Sequence, residues 1–356
     1  MRKFKKLVKD SAKNSIEKIV EIRYHQSHKN EAFKALQNIE QDTGFILTDK
    51  QKKLINDYSI EILGSKVYAY WLYVYTAFKG EFSEGWIPDN YYDRVVLPKI
   101  NKDYRNIATI KTLSKKLVGS DLFPDKFYLI DGNLYDENYN IISFKELYDE
   151  IESGSELFIK KDESHQGKGV LKLHKGNFNK EAIQSFGNSV IQEAIIQHPW
   201  FDSITPESVA TIRITTTKET DGSTKMRAGY LRVGTGDNQF VQSSTAIKIP
   251  IIDQDGSLDD YGVDPNWRRI QYHPDTGFVF ANKKIPYFSK AVKVCEKLHQ
   301  KIPHFTIIGW DISITENGDI KIIELNARHP GIKFSEASTG PCFADLNWQE
   351  LWKQAD

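Results

Sequence analysis

The chain of 356 residues has little cysteine, no excess of charge and no long apolar run. Two cysteines are too few for a disulfide framework or a cysteine-based metal site. Basic and acidic residues balance at 48 each, which argues against nucleic acid as the main partner. No stretch of about 18 apolar residues occurs, and the N-terminus lacks the apolar centre of a signal peptide. We therefore expect a soluble, cytoplasmic protein that binds no nucleic acid.

Two familiar kinds of catalytic pattern are also absent. No Ser–His–Asp or Cys–His arrangement has a context that supports nucleophilic catalysis by the protein. No loop has the spacing of a Walker A motif. The composition is nevertheless globular, 40% apolar and 12% aromatic. A chain of this length can bury a substantial core and form roughly two to three domains.

Residues 1–100 predict a helical N-terminal region. Apolar residues recur at three- and four-residue steps from Phe4 to Val20, and residues 1–30 contain nine Lys/Arg against three Asp/Glu. A basic amphipathic helix of this kind either packs on its own protein or lies on an anionic membrane surface. The stretch Val67–Phe78 is aromatic nearly all round, which predicts a buried helix.

Helices and strands alternate from residue 101 onward, which is typical of an α+β protein. A basic helix is predicted up to Val118, and Ser143 with Glu146 forms a capping box that predicts the start of another. We place two further regions at residues 101–198 and 199–356. Strands are predicted at 126–130, 157–160, 169–173, 190–194, 208–217 and 227–233.

Residues 308–331 predict two antiparallel strands joined by a tight turn. Asp311 lies near the start of the first strand. Glu324 and Asn326 are two positions apart on the second and point to one face, and the antiparallel return brings Asp311 beside them. Two carboxylates and an amide oxygen suit Mg²⁺. The alternative is an ordinary hairpin with polar ends, but apolar residues around the donors favour a cation, because a buried carboxylate needs a partner.

Three other segments carry groups that suit a nucleotide. Residues 164–169, Ser-His-Gln-Gly-Lys-Gly, can fold over phosphates through backbone N–H groups and a cation, although a plain hairpin loop fits equally well. Gln192 and Glu193 end an apolar strand, where they either hold a base and ribose or lie on the surface. Arg213 and Arg232 lie in β-branched segments, so each needs an anionic partner, either a carboxylate of the protein or a phosphate.

The order of these segments resembles the ATP-grasp superfamily: a lysine on a helix, a lysine on a strand, a Gly-containing loop, a strand ending in Gln-Glu, and Asp followed by Glu-x-Asn. The spacing of the last motif is similar to the metal triad of D-alanine–D-alanine ligases. WIPDNYYDRVVLPKIN, SVATIRITT, YLRVGTGDN and the hairpin resemble the sugar-transfer-associated ATP-grasp branch, over about residues 85–346. The resemblance implies an α+β ATP-grasp fold, two α+β lobes gripping ATP, after the helical N-terminal region.

The resemblance also implies roles for individual residues. Two lysines would contact the nucleotide, the second at the α- and β-phosphates. A loop would close over the phosphates, and a strand end would hold the adenine and ribose. A triad would hold one or two Mg²⁺ ions. The residues in this order are Lys111 and Lys160; Ser164, Gln166, Gly167, Lys168 and Gly169; Gln192, Glu193 and Ile195; and Asp311, Glu324 and Asn326.

The activity that the resemblance implies is that of an ATP- and Mg²⁺-dependent carboxylate–amine ligase in polysaccharide biosynthesis. Such an enzyme forms an amide through an acyl phosphate, here on an acidic sugar or a sugar-linked carboxylate. Arg213, Arg232 and Arg328 are candidates to bind the acid or the acyl phosphate. The chain departs from the patterns at Ala210, where the branch has asparagine, and at Gly309, where D-alanine ligases have arginine. Because residue 309 is glycine, we expect Arg232 or Arg328 to stabilise the transition state instead.

Two other functions stay open at this point. One is an ATP-dependent phosphotransferase acting on a sugar hydroxyl. The other is a non-catalytic nucleotide-binding partner of a glycosyltransferase assembly, docked through the basic N-terminal helices, which also suit a peripheral membrane contact.

Overall fold

The computed structural model describes residues 2–164, 169–236, 241 and 244–354, with side chains from residue 15 onward. Its contacts divide the chain into two compact units, Met1–Val96 with Glu336–Asp356, and Leu97–Ser335. Residues 336–356, which the sequence analysis assigned to the region 199–356, thus belong to the first unit by contact. The division at residue 198 stays a prediction.

The first unit is helical, as the sequence predicted. Its second helix begins with a capping box, in which Thr48 N donates to Gln51 Oε1 at 3.0 Å and Gln51 N donates to Thr48 Oγ1 at 3.2 Å. Nine of the eleven residues of its third helix are buried, which confirms the predicted buried aromatic helix. None of the described helices is long and apolar enough to cross a membrane. The helices are α1 (Arg2–Thr43), α2 (Asp49–Glu61), α3 (Ala69–Lys79) and α4 (Asp89–Tyr91), followed by a π-helical turn (Tyr92–Val96).

The second unit contains two antiparallel sheets and several helices. Among the helices, the predicted capping box is confirmed, because Ser143 N donates to Glu146 Oε1 at 3.0 Å. The helices are α5 (Leu97–Ile100), α6 (Lys111–Val118), α7 (Phe144–Glu152), α8 (Lys180–Ser185), α9 (Pro199–Asp202), α10 (Phe288–Gln300) and α11 (Lys333–Thr339), which begins at the end of this unit. A 3₁₀ segment, Lys102–Thr109, precedes α6.

The first sheet has six strands in the order β3-β2-β1-β6-β4-β5. Its strands are β1 (Asp125–Ile130), β2 (Asn133–Asp136), β3 (Ile141–Ile142), β4 (Leu157–Lys161), β5 (Val170–Leu173) and β6 (Ser189–Glu193). One face packs with α7 and α8 around an apolar cluster that includes Leu157, Ile159 and Ile191. Because side chains alternate along a strand, the opposite face carries Lys160, which follows Ile159, and Gln192, which follows Ile191.

The second sheet has seven strands in the order β11-β10-β9-β8-β7-β12-β13. Its strands are β7 (Thr211–Lys218), β8 (Thr224–Val233), β9 (Ile247–Pro250), β10 (Gly262–Val263), β11 (Arg269–Ile270), β12 (Ile307–Ile314) and β13 (Ile320–Asn326). One face packs with α10 around Ile212, Ile214 and Trp310. Its other face carries the arginines and carboxylates singled out in the sequence. The three strands β9, β10 and β11 were not predicted.

Candidate functional site

The predicted hairpin is confirmed by the pairing of β12 with β13. Asp311 lies opposite Glu324, and Gly309 lies opposite Asn326. The register shifts after Asp311, which leaves Ile323 as an extra residue in β13. The pairing thus brings the three predicted oxygen donors to one face of the second sheet.

Two arginines from neighbouring strands hold the Asp311 carboxylate. Arg213 donates from Nε to Oδ1 at 2.6 Å and from Nη2 to Oδ2 at 3.0 Å. Arg232 places Nη2 at 2.5 Å from Oδ1. All three side chains are buried. The sequence left open whether these arginines face a carboxylate or a phosphate; the structure pairs both of them with a carboxylate.

This arrangement keeps Asp311 ionised. Burial raises the pKa of Asp311, but Arg213 and then Arg232 outweigh that effect, and the pKa falls to about 2. Asn326 Nδ2 donates to Asp311 Oδ2 at 3.3 Å, which leaves the amide oxygen of Asn326 turned away from the carboxylate. The face therefore presents a fixed anion between two fixed cations.

Gly309 explains how Arg213 reaches this position. A Cβ at Gly309 would lie 3.0 Å from Arg213 Nη1 and 3.2 Å from Cβ of Pro330. Arg213 Nη1 also donates to Pro330 O at 3.0 Å. The guanidinium of Arg213 thus fills the space beside residue 309. Arg213 is thus the arginine that lies against Gly309, and the transition-state role expected of Arg232 or Arg328 stays a prediction.

Lys111 connects α6 to both the hairpin and the predicted phosphate loop. Its Nζ lies 3.3 Å from Glu324 Oε1 and donates to Ser164 O at 3.0 Å. Asp162 fixes the start of α6, because Oδ1 accepts from Thr112 N at 3.0 Å and Oδ2 accepts from Thr112 Oγ1 at 2.9 Å. The sequence reasoning missed Asp162, although an aspartate next to a Gly-containing loop is a common capping residue.

The phosphate loop is described only at its two ends. Ser164 begins it, and Gly169 ends it with φ of +84°. A Cβ at Gly169 would lie 3.1 Å from Ser164 Cβ, so both the backbone angle and the close approach require glycine there. Gln166, Gly167 and Lys168 lie outside the described residues.

Lys160 is half-buried on the polar face of the first sheet. Burial lowers the pKa of Lys160 to about 8, although the carboxylates of Glu324 and Asp125 act in the opposite direction. An amine with a pKa this low is partly neutral at mildly alkaline pH. The residue therefore lies where the two sheets present charges to each other.

Asp125 is a buried carboxylate that the sequence analysis missed. Its Oδ1 accepts from Gln192 Nε2 at 2.7 Å, and its Oδ2 accepts from Tyr128 OH at 3.0 Å. Gln192 Nε2 also lies 3.4 Å from the carbonyl oxygen of Ile323, the extra residue of β13. Gln192 therefore contacts both sheets. An aspartate at the start of an otherwise apolar strand was the available signal.

Glu193, Ile195 and Arg328 are the remaining predicted residues. Strand alternation puts Glu193 on the opposite face from Gln192, where its carboxylate lies 3.1 Å from Lys126 Nζ. Ile195 follows β6 and is half-buried. Arg328 follows β13 and is exposed. The structure thus pairs the Glu193 carboxylate with Lys126, and the role of Arg328 stays a prediction.

Asn101 braces the ends of the hairpin and was also missed. Its Nδ2 donates to Ile307 O at 2.9 Å and to Ala327 O at 2.8 Å. Its Oδ1 accepts from Thr306 N at 2.7 Å and Ile307 N at 3.1 Å. A buried amide with all of these contacts fixes where β12 begins and where β13 ends.

The cluster suits a divalent cation and phosphate groups in its chemistry. Among the described residues, no group of three or more His, Cys, Asp and Glu side chains is arranged to hold a metal. The predicted triad has only two carboxylates, Asp311 and Glu324, and its third oxygen is the amide of Asn326. Mg²⁺ accepts such a small set of hard oxygen donors when phosphates or water complete its coordination.

A family model described as sugar-transfer associated ATP-grasp matches residues 104–346. No curated protein matches the chain. Among solved structures, the ATP-grasp ligase PsnB with its minimal precursor is 13% identical, with a TM-score of 0.41, over 70% of this chain and 64% of that chain. The D-alanine–D-alanine ligase from Coxiella burnetii is 11% identical, with a TM-score of 0.40, over 69% of this chain and 56% of that chain.

The ADP complex of purK, N5-carboxyaminoimidazole ribonucleotide synthetase, is 13% identical, with a TM-score of 0.38, over 62% of this chain and 45% of that chain. The chain thus spans between 45% and 64% of the length of these three structures. The family model itself covers well over half of this chain. The chain therefore belongs to the sugar-transfer associated ATP-grasp family.

Proposed function

We propose that this protein is an ATP- and Mg²⁺-dependent ligase that joins a carboxylate to an amine through an acyl phosphate. The observation that carries the proposal is the polar face of the second sheet. There Asp311, Glu324 and Asn326 offer oxygen donors next to the buried guanidinium groups of Arg213 and Arg232. A site for phosphoryl transfer needs this combination, because negative charge develops on oxygens that a cation and hydrogen-bond donors must stabilise.

Asp311, Glu324 and Asn326 are the proposed Mg²⁺ ligands. The fit is supported by the ionised state of Asp311 and by the amide oxygen of Asn326, which faces away from the carboxylate. Glu324 is half-exposed, and its carboxylate pairs with Lys111 Nζ at 3.3 Å through one oxygen, so it retains acceptor capacity. When bound, Mg²⁺ supplies positive charge that stabilises the phosphate oxygens.

The proposed ATP contacts come from α6 and the first sheet. Lys111 and Lys160 are the proposed phosphate ligands, and the loop 164–169 is the proposed phosphate cover. The support for Lys111 is its contact with both Ser164 and Glu324, which joins the loop to the proposed metal ligands through one ammonium group. The support for Lys160 is its place on the polar face, between carboxylates of both sheets.

Arg213 and Arg232 are the proposed donors to the acid and the acyl phosphate. Their planar guanidinium groups match carboxylate and phosphate oxygens. Asp311 orients both groups at 2.5–2.6 Å, and such fixed donors stabilise developing charge without reorganising. Arg328 is exposed, and we propose that it donates hydrogen bonds to the part of the acid that faces the solvent.

The acid is proposed to be an acidic sugar or a sugar-linked carboxylate used in polysaccharide biosynthesis. This part of the proposal rests on the family's association with sugar transfer. The partner substrate is an amine.

Hydroxylamine trapping tests the proposed reaction. Incubation with MgATP, an acidic sugar and hydroxylamine is expected to release phosphate and form a hydroxamate, since hydroxylamine attacks an acyl phosphate. A stable phosphorylated sugar would instead identify a phosphotransferase. Binding of MgATP without turnover on any acid, amine or sugar would identify a non-catalytic nucleotide-binding protein.

Glu324→Gln tests the proposed metal ligand. The variant is expected to bind no Mg²⁺ at this position and to lose turnover while its circular dichroism stays unchanged. Glu316→Gln is the matched control, because Glu316 is an exposed glutamate in the turn of the same hairpin. Full activity of Glu324→Gln would contradict the metal assignment.

For α1 we propose a contact with an anionic membrane surface. Residues 15–20 are exposed on all sides, and the apolar residues Ile16, Ile19 and Val20 are 62%, 50% and 53% exposed. Their spacing puts them on one stripe, and the preceding residues are strongly basic. The protein is expected to sediment with phosphatidylserine-containing vesicles and not with phosphatidylcholine vesicles. Ile19→Asp should abolish this, and sedimentation with neither vesicle would point to a protein partner such as a glycosyltransferase.

A further inference from the structure

We propose that the acid substrate carries a second anionic group, which Lys248 binds on the second sheet next to Arg232. This inference rests on the proposed ligation of a carboxylate and adds to it the charge that the acid must carry. Lys248 determines specificity in this scheme, because it contacts a part of the acid that does not react. The second group is defined by its negative charge, which a phosphate ester or a second carboxylate supplies.

Lys248 lies on the same face of the second sheet as the candidate site. Its neighbours in β9, Ile247 and Ile249, belong to the apolar cluster that packs with α10. Because side chains alternate along a strand, Lys248 is on the opposite, polar face, where it is half-buried. The strand pairing puts it directly opposite Arg232 of β8. Lys248 is thus the next cation along this face, one strand beyond Arg232.

Charges of opposite sign are separated across this face of the sheet. The strands run in the order β9-β8-β7-β12-β13, and the carboxylates of Asp311 and Glu324 lie on the last two. The cations Arg213, Arg232 and Lys248 lie on the first three. A metal ion with its phosphates suits the end that carries carboxylates, whereas an anionic substrate suits the other end.

Arg232 and Lys248 form a pair of like charges, which is unfavourable when the two residues are directly opposite on neighbouring strands. Arg232 places Nη2 at 2.5 Å from Asp311 Oδ1, and β12 lies on the side of β8 away from β9. The carboxylate of Asp311 therefore approaches Arg232 from the side away from Lys248. An anion bound between Arg232 and Lys248 would relieve their repulsion and contact both of them.

Apolar groups border these two cations. Lys248 Nζ lies 5.8 Å from the centroid of the Phe334 ring, and Arg232 Cζ lies 6.0 Å from that of Tyr230. The two rings meet edge to face with centroids 5.1 Å apart. Val263 of β10 lies opposite Lys248 on its other side and is buried. Surroundings of low polarity strengthen the attraction between a cation and a bound anion.

The strand spacing limits what the acid can be. Neighbouring strands lie about 4.8 Å apart, so β7 and β9 are separated by about 10 Å. A carboxylate held by Arg213 and a second anion held by Lys248 must therefore belong to one molecule that has charged groups at its two ends. A sugar with a carboxylate at one end and a phosphate or a second carboxylate at the other meets this requirement. A small monocarboxylate such as acetate does not.

The test compares three acids in the hydroxamate assay with the full-length protein. Glucuronate has one carboxylate, glucuronate 1-phosphate adds a phosphate, and glucarate has a carboxylate at each end. At least one of the last two is expected to give a kcat/KM at least about tenfold above that of glucuronate. The better of the two identifies the second group. Calorimetric titration of the acids into the protein saturated with MgADP should give the same ranking without turnover.

Lys248→Met removes the charge and keeps an unbranched side chain against Phe334. The variant should raise KM for the preferred acid about tenfold and leave kcat and KM for MgATP within about twofold, because a contact to a non-reacting group affects ground and transition states equally. Lys248→Arg keeps the charge and should retain the preference. Lys225→Met is the matched control and should behave as the wild type, since Lys225 is an exposed lysine at the other end of β8.

The outcomes separate the inference from the proposed function. A kcat/KM for glucuronate equal to or above that of both other acids would overturn the inference and leave the proposed function standing. A preference that persists in Lys248→Met would overturn it as well. Should Lys248→Met fail to fold, the wild-type ranking and Lys248→Arg decide the matter. If no acid yields a hydroxamate, the proposed function fails and the inference fails with it.

Discussion

Asp125 and Asp311 are two aspartates of the same unit, buried to the same extent, whose carboxyl groups respond in opposite ways. They are 4% and 5% exposed, one on the polar face of each sheet. Burial raises the pKa of Asp125, and hydrogen bonds from Gln192 and Tyr128 only partly offset this. At Asp311 burial also raises the pKa, but Arg213 and Arg232 reverse the shift. Partners, rather than burial, decide the state of each carboxyl group.

The two carboxyl groups differ in their hydrogen-bond donors. Asp311 is an anion that holds two guanidinium groups in place. Asp125 accepts its hydrogen bonds from neutral groups, the Gln192 amide and the Tyr128 hydroxyl. Mutations that treat the two residues alike should therefore have unequal effects.

The largest expected effect is on stability at Asp311. Asp311→Ala should lower the free energy of unfolding by about 3–5 kcal/mol, because it leaves two buried guanidinium groups without their anion. Asp125→Ala should lower it by about 1–3 kcal/mol, because only neutral donors lose an acceptor. Urea denaturation of the free protein at pH 7 measures both. An equal or smaller loss for Asp311→Ala would contradict the comparison.

Acid titration sharpens the same comparison. The folded-state pKa of Asp311 is depressed to about 2, so its stabilisation is present above the unfolded-state pKa near 4 and is lost as pH falls toward 2. The stability gap between the wild type and Asp311→Asn should close over that range. For Asp125 the folded-state pKa is raised, because ionisation of the buried carboxyl group is unfavourable. The free energy of unfolding of the wild type should therefore fall relative to that of Asp125→Asn as pH rises through this pKa.

An intermediate effect is expected at Lys160, which lies between carboxylates of both sheets. With a pKa of about 8, it loses its charge as pH rises from 7 to 9. Affinity for MgATP should therefore fall up to about tenfold over this range. Calorimetric titration at pH 7, 8 and 9 measures the trend.

Lys160→Arg is the control for this titration, because a guanidinium group stays charged throughout. The variant should show a much flatter dependence on pH. Asp125→Asn removes one of the carboxylates that favour the charged lysine, so the fall in affinity should begin at a lower pH. The same slope in the wild type and Lys160→Arg would rule out Lys160 as the titrating group.

The smallest effect is expected at Glu193, next to Gln192 in sequence but on the opposite face of the sheet. Its carboxylate pairs with Lys126 at 3.1 Å in an exposed position. Glu193→Gln should change stability by less than about 1 kcal/mol and MgATP affinity by less than about twofold. A large loss of affinity would show that this carboxylate reaches the nucleotide, as the family resemblance implied.

Local patterns predicted several parts of the fold well. The alternation and turn around Asp311 and Glu324 gave the hairpin, the Ser143–Glu146 pair gave the start of α7, and the aromatic run gave the buried helix α3. Each of these features depends on residues that are close in sequence. The three strands β9, β10 and β11 carry too few residues, four, two and two, for a pattern to appear.

The contacts that define the candidate site could not be predicted, because they join residues that are far apart in sequence. Arg213 and Asp311 are 98 positions apart, and only the pairing of β7 with β12 brings them together. Gln192 and Asp125 are 67 positions apart and depend on the pairing of β1 with β6. Sequence could show that the arginines need an anion, but strand order decides which anion it is.

Gly309 has a wider consequence for how positive charge reaches this face of the second sheet. A Cβ at residue 309 would lie 3.0 Å from Arg213 Nη1, so a side chain there would compete for the space that the guanidinium group fills. The cation beside Asp311 is supplied instead by the adjacent strand β7. The absence of a side chain on one strand is thus what admits a charged side chain from the next.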